Sequence, residues 1–321
     1  MRCEKNFAIF VPLVPLCETK CCMPRHIIYI INPISGTRTK KNLREYIETQ
    51  TKAKDIPYAI FPSVADGDYS FLNDYIKNNK VTDIVIAGGD GTVSQVIGSL
   101  LKHKVNFGII PCGSGNGLAL AAGISRKPEK ALQTVFNGYA APTDGFMINK
   151  QFACMLCGLG FDAKVAHDFA RQSKRGLSTY VKQVIRSFFG AKSHVFDITL
   201  DDKTFSVDAF LLCIANSNQF GNNVTIAPKA SMSDGLLDIV IIPEQGKMSI
   251  LWRTLQQIRG KNKLQDGMKT ARKNGVIYFQ AAQLRIKNKS GALMHIDGDP
   301  AETQSALIIG IKKHCFQLLQ P

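Results

Sequence analysis

Three turns carry the residue types that phosphate chemistry needs: Asn32-Pro33-Ile34-Ser35-Gly36, Gly88-Gly89-Asp90-Gly91-Thr92 and Gly113-Ser114-Gly115-Asn116-Gly117. Glycine lets a backbone come close to a phosphate, and Ser, Thr and Asn add hydroxyl and amide donors. A helix that opens after such a turn adds unpaired N–H groups. One such turn is a weak signal. Three of them, each after a strand candidate, predict a single ligand-binding edge, with the phosphates of a nucleotide as the leading ligand. The chain has no GxxxxGK[ST] sequence, which excludes a P-loop. Asp90 is the odd member, because a carboxylate among such amides repels phosphate unless it binds Mg²⁺ or orders a neighbouring donor. It also suits the cap of the helix that follows.

Strands must alternate with helices to bring these turns to one edge. Residues 26–32 form a β-branched and aromatic run, and 57–61, 81–87 and 107–111 read the same way. Helical spacing fills 39–51, 69–79 and 93–103, and 118–123 opens another helix. Alternation through about residue 143 predicts βαβ units and a mostly parallel, three-layer α/β domain. Beyond Pro142 the rhythm becomes β-rich, with strands at 195–201, 204–215, 237–242, 275–280, 282–287 and 293–297 and helices at 163–189 and 248–259. The division expected is a tail over 1–24, an α/β nucleotide domain over 25–143 completed by 305–321, and a β-sandwich-like domain over 144–304. A hinge is expected near 141–144.

Composition sets the outer limits. Of 321 residues, 45% are hydrophobic and 20% charged, an ordinary globular balance. The longest apolar stretch, 7–16, contains two prolines and is about half the ~20 residues a spanning helix requires. Residues 1–22 lack a small-residue cleavage site and read as a disordered tail or as extra sequence ahead of a start at Met23. Nine cysteines, an odd number partly inside apolar runs, suit a reducing compartment. Cys154 and Cys157 have CxxC spacing but no second pair, and they read as core residues. The formal net charge of +15 favours an anionic partner, and no nucleic-acid-binding motif accompanies it.

The ordered set of motifs resembles the diacylglycerol kinase catalytic-domain family, which includes bacterial soluble lipid kinases and sphingosine kinases. The residues that carry the resemblance are Asn32-Pro33-x-Ser35-Gly36, Gly88–Thr92 and Gly113-Ser114-Gly115-Asn116, then Gly160-Phe161-Asp162-Ala163, Asn216 through Pro228, Ser233–Asp238 and Ile296-Asp297-Gly298-Asp299. The resemblance runs from about residue 25 to the C-terminus. It implies a two-domain fold that binds ATP with Mg²⁺ in a cleft and phosphorylates a lipid hydroxyl, in a cytoplasmic protein peripheral to the inner face of the membrane.

Transferred position by position, the resemblance implies nucleotide contacts at Asn32, Ser35, Gly36, Ser63, Gly88, Gly89, Asp90, Gly91, Thr92, Val93, Ser94, Gly113, Ser114 and Asn116. It implies a general base at Asp299, with Asp297 beside it as the second catalytic acid. A metal would be held by Asp234 with the carbonyls of Ser231 and Leu236. Asp299 stands where the family has glutamate, one methylene longer. Gly117 stands where many members have aspartate, and a small residue there is closer to the sphingosine kinases. The substrate is therefore a diacylglycerol-type lipid or, in the alternative, a sphingoid base. NAD kinases share the Gly-Gly-Asp-Gly-Thr turn, and a catalytically silent binding module is the non-enzyme alternative. Oligomeric state is left open, a homodimer included.

The charge is unevenly distributed. Residues 164–192 hold seven basic residues and one acid, and residues 247–273 hold eight and one. Apolar residues such as Phe188 and Trp252 lie among them. Both stretches suit docking on anionic lipid.

Overall fold

β1 (Ile27–Ile31) is five apolar residues, all buried. Such a run suits a parallel strand covered on both faces. In this computed structural model, residues 24–33, 40–171, 187, 188, 190–221, 224–228, 230–246, 248–250, 252, 270–273 and 275–321 are described. After β1 come α1 (Lys40–Lys52), β2 (Tyr58–Pro62), a 3-10 turn (Ser70–Leu72), α2 (Asn73–Asn78), β3 (Asp83–Gly88), α3 (Asp90–Leu100), β4 (Asn106–Pro111), α4 (Gly117–Ala121) and α5 (Pro128–Asn137). The first four strands pair in parallel in the order β2-β1-β3-β4. Their C-terminal ends, Pro62, Ile31, Gly88 and Pro111, therefore share one edge. The order reverses direction between β1 and β3, which is where open α/β sheets bind ligands.

One expected helix, over 69–79, is broken. Tyr69 is fully buried, and its amide donates to the Ser99 hydroxyl at 2.8 Å. That contact takes Tyr69 out of helical geometry (φ −102°, ψ 17°), so the chain enters α2 through the 3-10 turn.

The second half comprises β5 (Tyr139–Ile148), β6 (Gln151–Ala153), β7 (Leu156–Gly160), α6 (Phe161–Ala170), β8 (His194–Leu200), β9 (Lys203–Ala215), β10 (Gln219–Gly221), β11 (Val224–Thr225), β12 (Leu237–Pro243), β13 (Thr270–Lys273), β14 (Val276–Ala281), β15 (Gln283–Asn288), β16 (Met294–Ile296), β17 (Asp299–Ala301) and β18 (Ala306–Gln320). Side chains of β9 and β12 sort by period two, as strands buried on both faces must. Leu212, Ile214, Ile239 and Ile241 enter one core, while Leu211, Cys213, Val240 and Ile242 enter the other.

In place of a hinge loop at 141–144, two strands run straight across. β5 pairs antiparallel with β18 along nearly its whole length, and β18 also pairs in parallel with β4 and antiparallel with β15. One continuous sheet thus joins the α/β half to the β-rich half. The register shifts between Lys312 and Phe316, a bulge in which His314 has φ 45°. Asp144, fully buried, accepts the His314 N–H at 2.6 Å and the Gly235 N–H at 2.7 Å there. The His314 N–H is a donor that the bulge leaves unpaired, and the Gly235 N–H comes from the turn that precedes β12.

The expected tail over 1–22 lies outside the described residues. Of the helix expected over 163–189, α6 is described, and of that over 248–259 only residues 248–250 and 252 are, all helical. Among the described residues no helix is long and apolar enough to cross a membrane.

Candidate active site

The second and third glycine turns meet backbone to backbone. A Cβ added to Gly113 would lie 2.6 Å from the Gly89 Cα, and Cys112 N–H donates to the Gly88 carbonyl at 2.9 Å. No larger residue fits at Gly113, and a Cβ at Gly89 would be tight at 3.2 Å from the Gly113 Cα. Gly89 stands at the N-cap of α3, so the first N–H groups of that helix open onto the strand edge. The first turn is tied to the second by the Asn32 amide, which donates to the Thr92 hydroxyl at 2.7 Å across the reversal point. Ser63 joins the same edge, its N–H donating to the Ile31 carbonyl. Ser35 and Gly36 lie outside the described residues.

Most polar side chains of these motifs are used to build the edge. Asn116 has left-handed backbone (φ 58°), and its amide closes the third turn, accepting from Gly113 N–H at 2.8 Å and donating to the Gly113 carbonyl at 2.7 Å. Val93 is buried in the core. Ser94 donates its hydroxyl to Asp297 at 2.5 Å. These side chains hold one another, so the surface left for a phosphate is glycine backbone together with the exposed Ser114.

Asp90 does not cap the helix that it begins. Its carboxylate faces the N–H groups of Asn116, Gly117 and Leu118 at the start of α4, joining the second turn to the third. Burial and then the charge of Asp297 push it up to about 7, and the three backbone N–H groups only partly offset this.

The β16–β17 hairpin brings the opposite wall. Asp297 (φ 50°) and Gly298 (φ 88°) form its two-residue turn, with positive φ at both positions as a tight hairpin requires. Asp297 is 2% exposed, and its carboxylate accepts from five groups. They are the Ser94 hydroxyl, the N–H groups of Cys154, Met155 and Leu156 at 2.8–2.9 Å, and the Cys154 thiol at 3.5 Å. A carboxylate so fully occupied has no lone pair turned to a substrate, so the expected second catalytic acid is a clamp between α3 and the β6–β7 turn.

Asp299, two residues on, is exposed and reaches the glycine edge. A Cβ at Gly91 would lie 1.8 Å from its Oδ2. The shorter side chain therefore still spans the cleft, because Gly91 leaves it room.

The expected metal residues form a separate cluster. Asp234 accepts the Leu236 N–H at 3.0 Å in a local turn. Partial desolvation raises its carboxyl above the usual range, the Leu236 N–H pulls it back, and the charge of Asp144 adds to the rise. Ser231 lines a cavity of about 540 Å³ with Thr143 and His314. Among the described residues no group of three His, Cys, Asp or Glu converges in metal-binding geometry. Cys154 and Cys157 are fully buried, and burial pushes both thiols well above the ordinary range.

Two residues at these sites had no motif to mark them: Asp144 and His295. Asn216, which opens the segment through Pro228, is fully buried, and its amide donates to the carbonyls of Asp144 and Cys154, both at 2.9 Å.

Comparison with known proteins agrees with this architecture. A family model described as the diacylglycerol kinase catalytic domain matches residues 26–148, and one for the YegS C-terminal NAD kinase beta sandwich-like domain matches 156–313. A Shewanella frigidimarina protein named "Probable lipid kinase YegS-like" is 30% identical over 243 residues, 73% of this chain and 75% of its own. The chain belongs to the diacylglycerol kinase-like lipid kinase family. A Bacillus subtilis protein named "Diacylglycerol kinase" is 24% identical over 89% of this chain and 93% of its own. Among solved structures, one from Bacillus anthracis superposes with a TM-score of 0.74 at 19% identity, covering 95% of this chain and 98% of that one. Another, of a diacylglycerol kinase from the same organism, gives 0.67 at 17%, covering 93% and 97%. Both show the same fold. The protein is a lipid kinase, a phosphotransferase, and the family implies ATP as the phosphate donor.

Gly91→Ala tests the contact between the two walls. Alanine suits a helix better than glycine by about 1 kcal/mol, so the melting temperature should hold. Its methyl group would displace the Asp299 carboxylate, and turnover should fall at least about tenfold, the scale expected when a reacting group is moved by about 1 Å. Unchanged turnover would show that Asp299 is not held against this turn.

Proposed function

We propose that this kinase transfers the γ-phosphoryl group of ATP to the hydroxyl of a diacylglycerol-type lipid, at an anionic membrane surface. The observation that carries the reading is the Asp299 carboxylate lying directly over Gly91 of a phosphate-binding turn. An alcohol is a poor nucleophile at neutral pH, and a carboxylate beside the transferring phosphoryl accepts its proton. Asp299 is exposed to the cleft and takes this role, while the glycine backbone at 88–91 and 113 and the start of α3 cradle the phosphates. A magnesium ion bound with the triphosphate neutralises charge on the transferring group.

A second, structural cation fits the Asp234 cluster by donor chemistry. Asp234 and the Ser231 and Leu236 carbonyls offer oxygen alone, which suits Mg²⁺ and not Zn²⁺. Two carboxylates, Asp234 and Asp144, raise the local cost of negative charge that a cation would relieve. The membrane reading rests on Met248 and Trp252, 73% and 62% exposed at helical spacing, within the basic stretch 247–273. Most of that stretch lies outside the described residues. Apolar anchors ringed by basic residues suit an anionic bilayer.

Four measurements check these roles. Asp299→Asn should lower kcat at least about a hundredfold with ATP binding retained, the usual loss for a general base. Labelled-ATP assays over diacylglycerol, sphingoid bases and NAD should favour diacylglycerol. Near-wild-type turnover removes the base assignment, and preferred labelling of another acceptor removes the substrate.

For the structural cation, chelation should lower the melting temperature of the wild type but not of Asp234→Ala. Equal melting of the wild type with and without chelator rules out a structural cation. For docking, Met248→Ser with Trp252→Ser should weaken binding to vesicles containing anionic lipid and spare turnover of a short-chain soluble lipid. Vesicle binding indifferent to this pair and to added salt would defeat the docking role.

A further inference from the structure

We propose that His295 and Asp162 form a positioning pair that holds the Asp297-Gly298 turn and, through it, Asp299; the inference rests on Asp299 acting as the base. His295 is central in β16 and 2% exposed. Its Nε2 lies 3.3 Å from Asp162 Oδ2, and its Nδ1 lies 3.3 Å from the Gly298 backbone nitrogen. A backbone N–H only donates, so Nδ1 is the acceptor and the ring proton sits on Nε2, directed at the carboxylate. The imidazole thus bridges a fixed acid to the residue immediately before Asp299.

Both ends of the bridge are built into the fold. Asp162 lies in the first turn of α6, where the helix dipole favours its charge, and its Oδ1 accepts the Ala163 N–H at 2.9 Å. Gly158, paired with His295 across β7 and β16, makes the space: a Cβ there would lie 1.9 Å from Asp162 Oδ2 and 2.3 Å from His295 Nε2. β16 is held further by His167, whose Nε2 donates to the Met294 carbonyl at 2.8 Å. On the far side of the same turn Asp297 is clamped by its five donors. The turn is therefore fixed from both sides, and only Asp299 extends from it into the cleft. A histidine that merely filled the core would need neither the glycine opposite nor an acid at Nε2.

Nitrogen NMR of the full chain tests the pair without any substrate. Wild type should show a protonated Nε2 and a bare Nδ1 for His295, and Asp162→Asn should mix the two tautomers. A ring protonated at Nδ1 overturns the proposal.

Kinetics on dioctanoylglycerol in mixed micelles test the consequence. His295→Asn keeps an acceptor where Nδ1 stood, and His295→Gln keeps only a donor toward Asp162. His295→Gln should lower kcat about tenfold or more with KM for ATP unchanged, and His295→Asn should stay within about threefold of wild type. In an Asp299→Asn background His295→Gln should cost nothing further, because its effect passes through Asp299. An equal fall in both backgrounds, or a fall that simply follows the melting temperature, overturns the proposal. Should His295→Gln not fold, Asp162→Asn, which keeps the volume of the pair, is carried through the same cycle with a several-fold loss expected. Asp299→Asn with full activity overturns the base assignment instead, and is distinguishable because the tautomer would remain as stated.

Discussion

The carboxylate of Asp297 is the interaction on which the rest of the cleft depends. A buried carboxylate is stable only where donors replace its water, and Asp297 has five. One donor, Ser94, belongs to α3 behind the second glycine turn, and three belong to the backbone between β6 and β7. The same group therefore joins the helix that opens onto the phosphates to the sheet that carries the opposite wall. Removing it would strand three backbone N–H groups in the core, each costing about 1–3 kcal/mol. Its left-handed backbone also sets the hairpin turn that aims Asp299. One residue thus settles both how the halves join and where the Asp299 carboxylate points.

The crossing strands supply stiffness that the clamp alone does not. β5 and β18 carry hydrogen bonds from the α/β half into the β-rich half without a break. Asp144 takes the His314 N–H exposed where their register slips and ties it to the Gly235 N–H of the turn before β12. Closure by rotation at 141–144 would have to tear this ladder.

How much of this the residues announced follows from the kind of signal each part leaves. The buried parallel strands were legible because two covered faces demand unbroken apolar runs, as in Ile27–Ile31. The three glycine turns were legible because close approach excludes side chains, and the structure places Gly89 and Gly113 in contact. β18 was not, since Lys312, Lys313 and His314 interrupt its apolar pattern at the bulge. The clamp was invisible because three of its donors are backbone groups, which every residue but proline has. The resemblance implied nucleotide contacts at Asn32, Ser94 and Asn116, whose side chains bond to Thr92, Asp297 and Gly113.

The electrostatics of the cleft give those aspartates a common meaning. Asp90 is raised to about 7, so between its unfolded value near 4 and that point the folded chain holds a proton the unfolded chain has released. Stability on this account falls as pH rises through that window, and the full cost of the charge is present above it. Asp90, Asp297 and Asp299 all stand around an edge shaped for a polyphosphate, in a chain whose net charge of +15 lies largely elsewhere. Glycine N–H groups alone do not balance three carboxylates and a triphosphate. On the proposed reading, a divalent cation bound with the nucleotide would balance them and would lower the cost of ionised Asp90. On that reading the cleft would disfavour negative charge until metal and nucleotide bind together, because burial and the Asp297 charge already act against the Asp90 carboxylate.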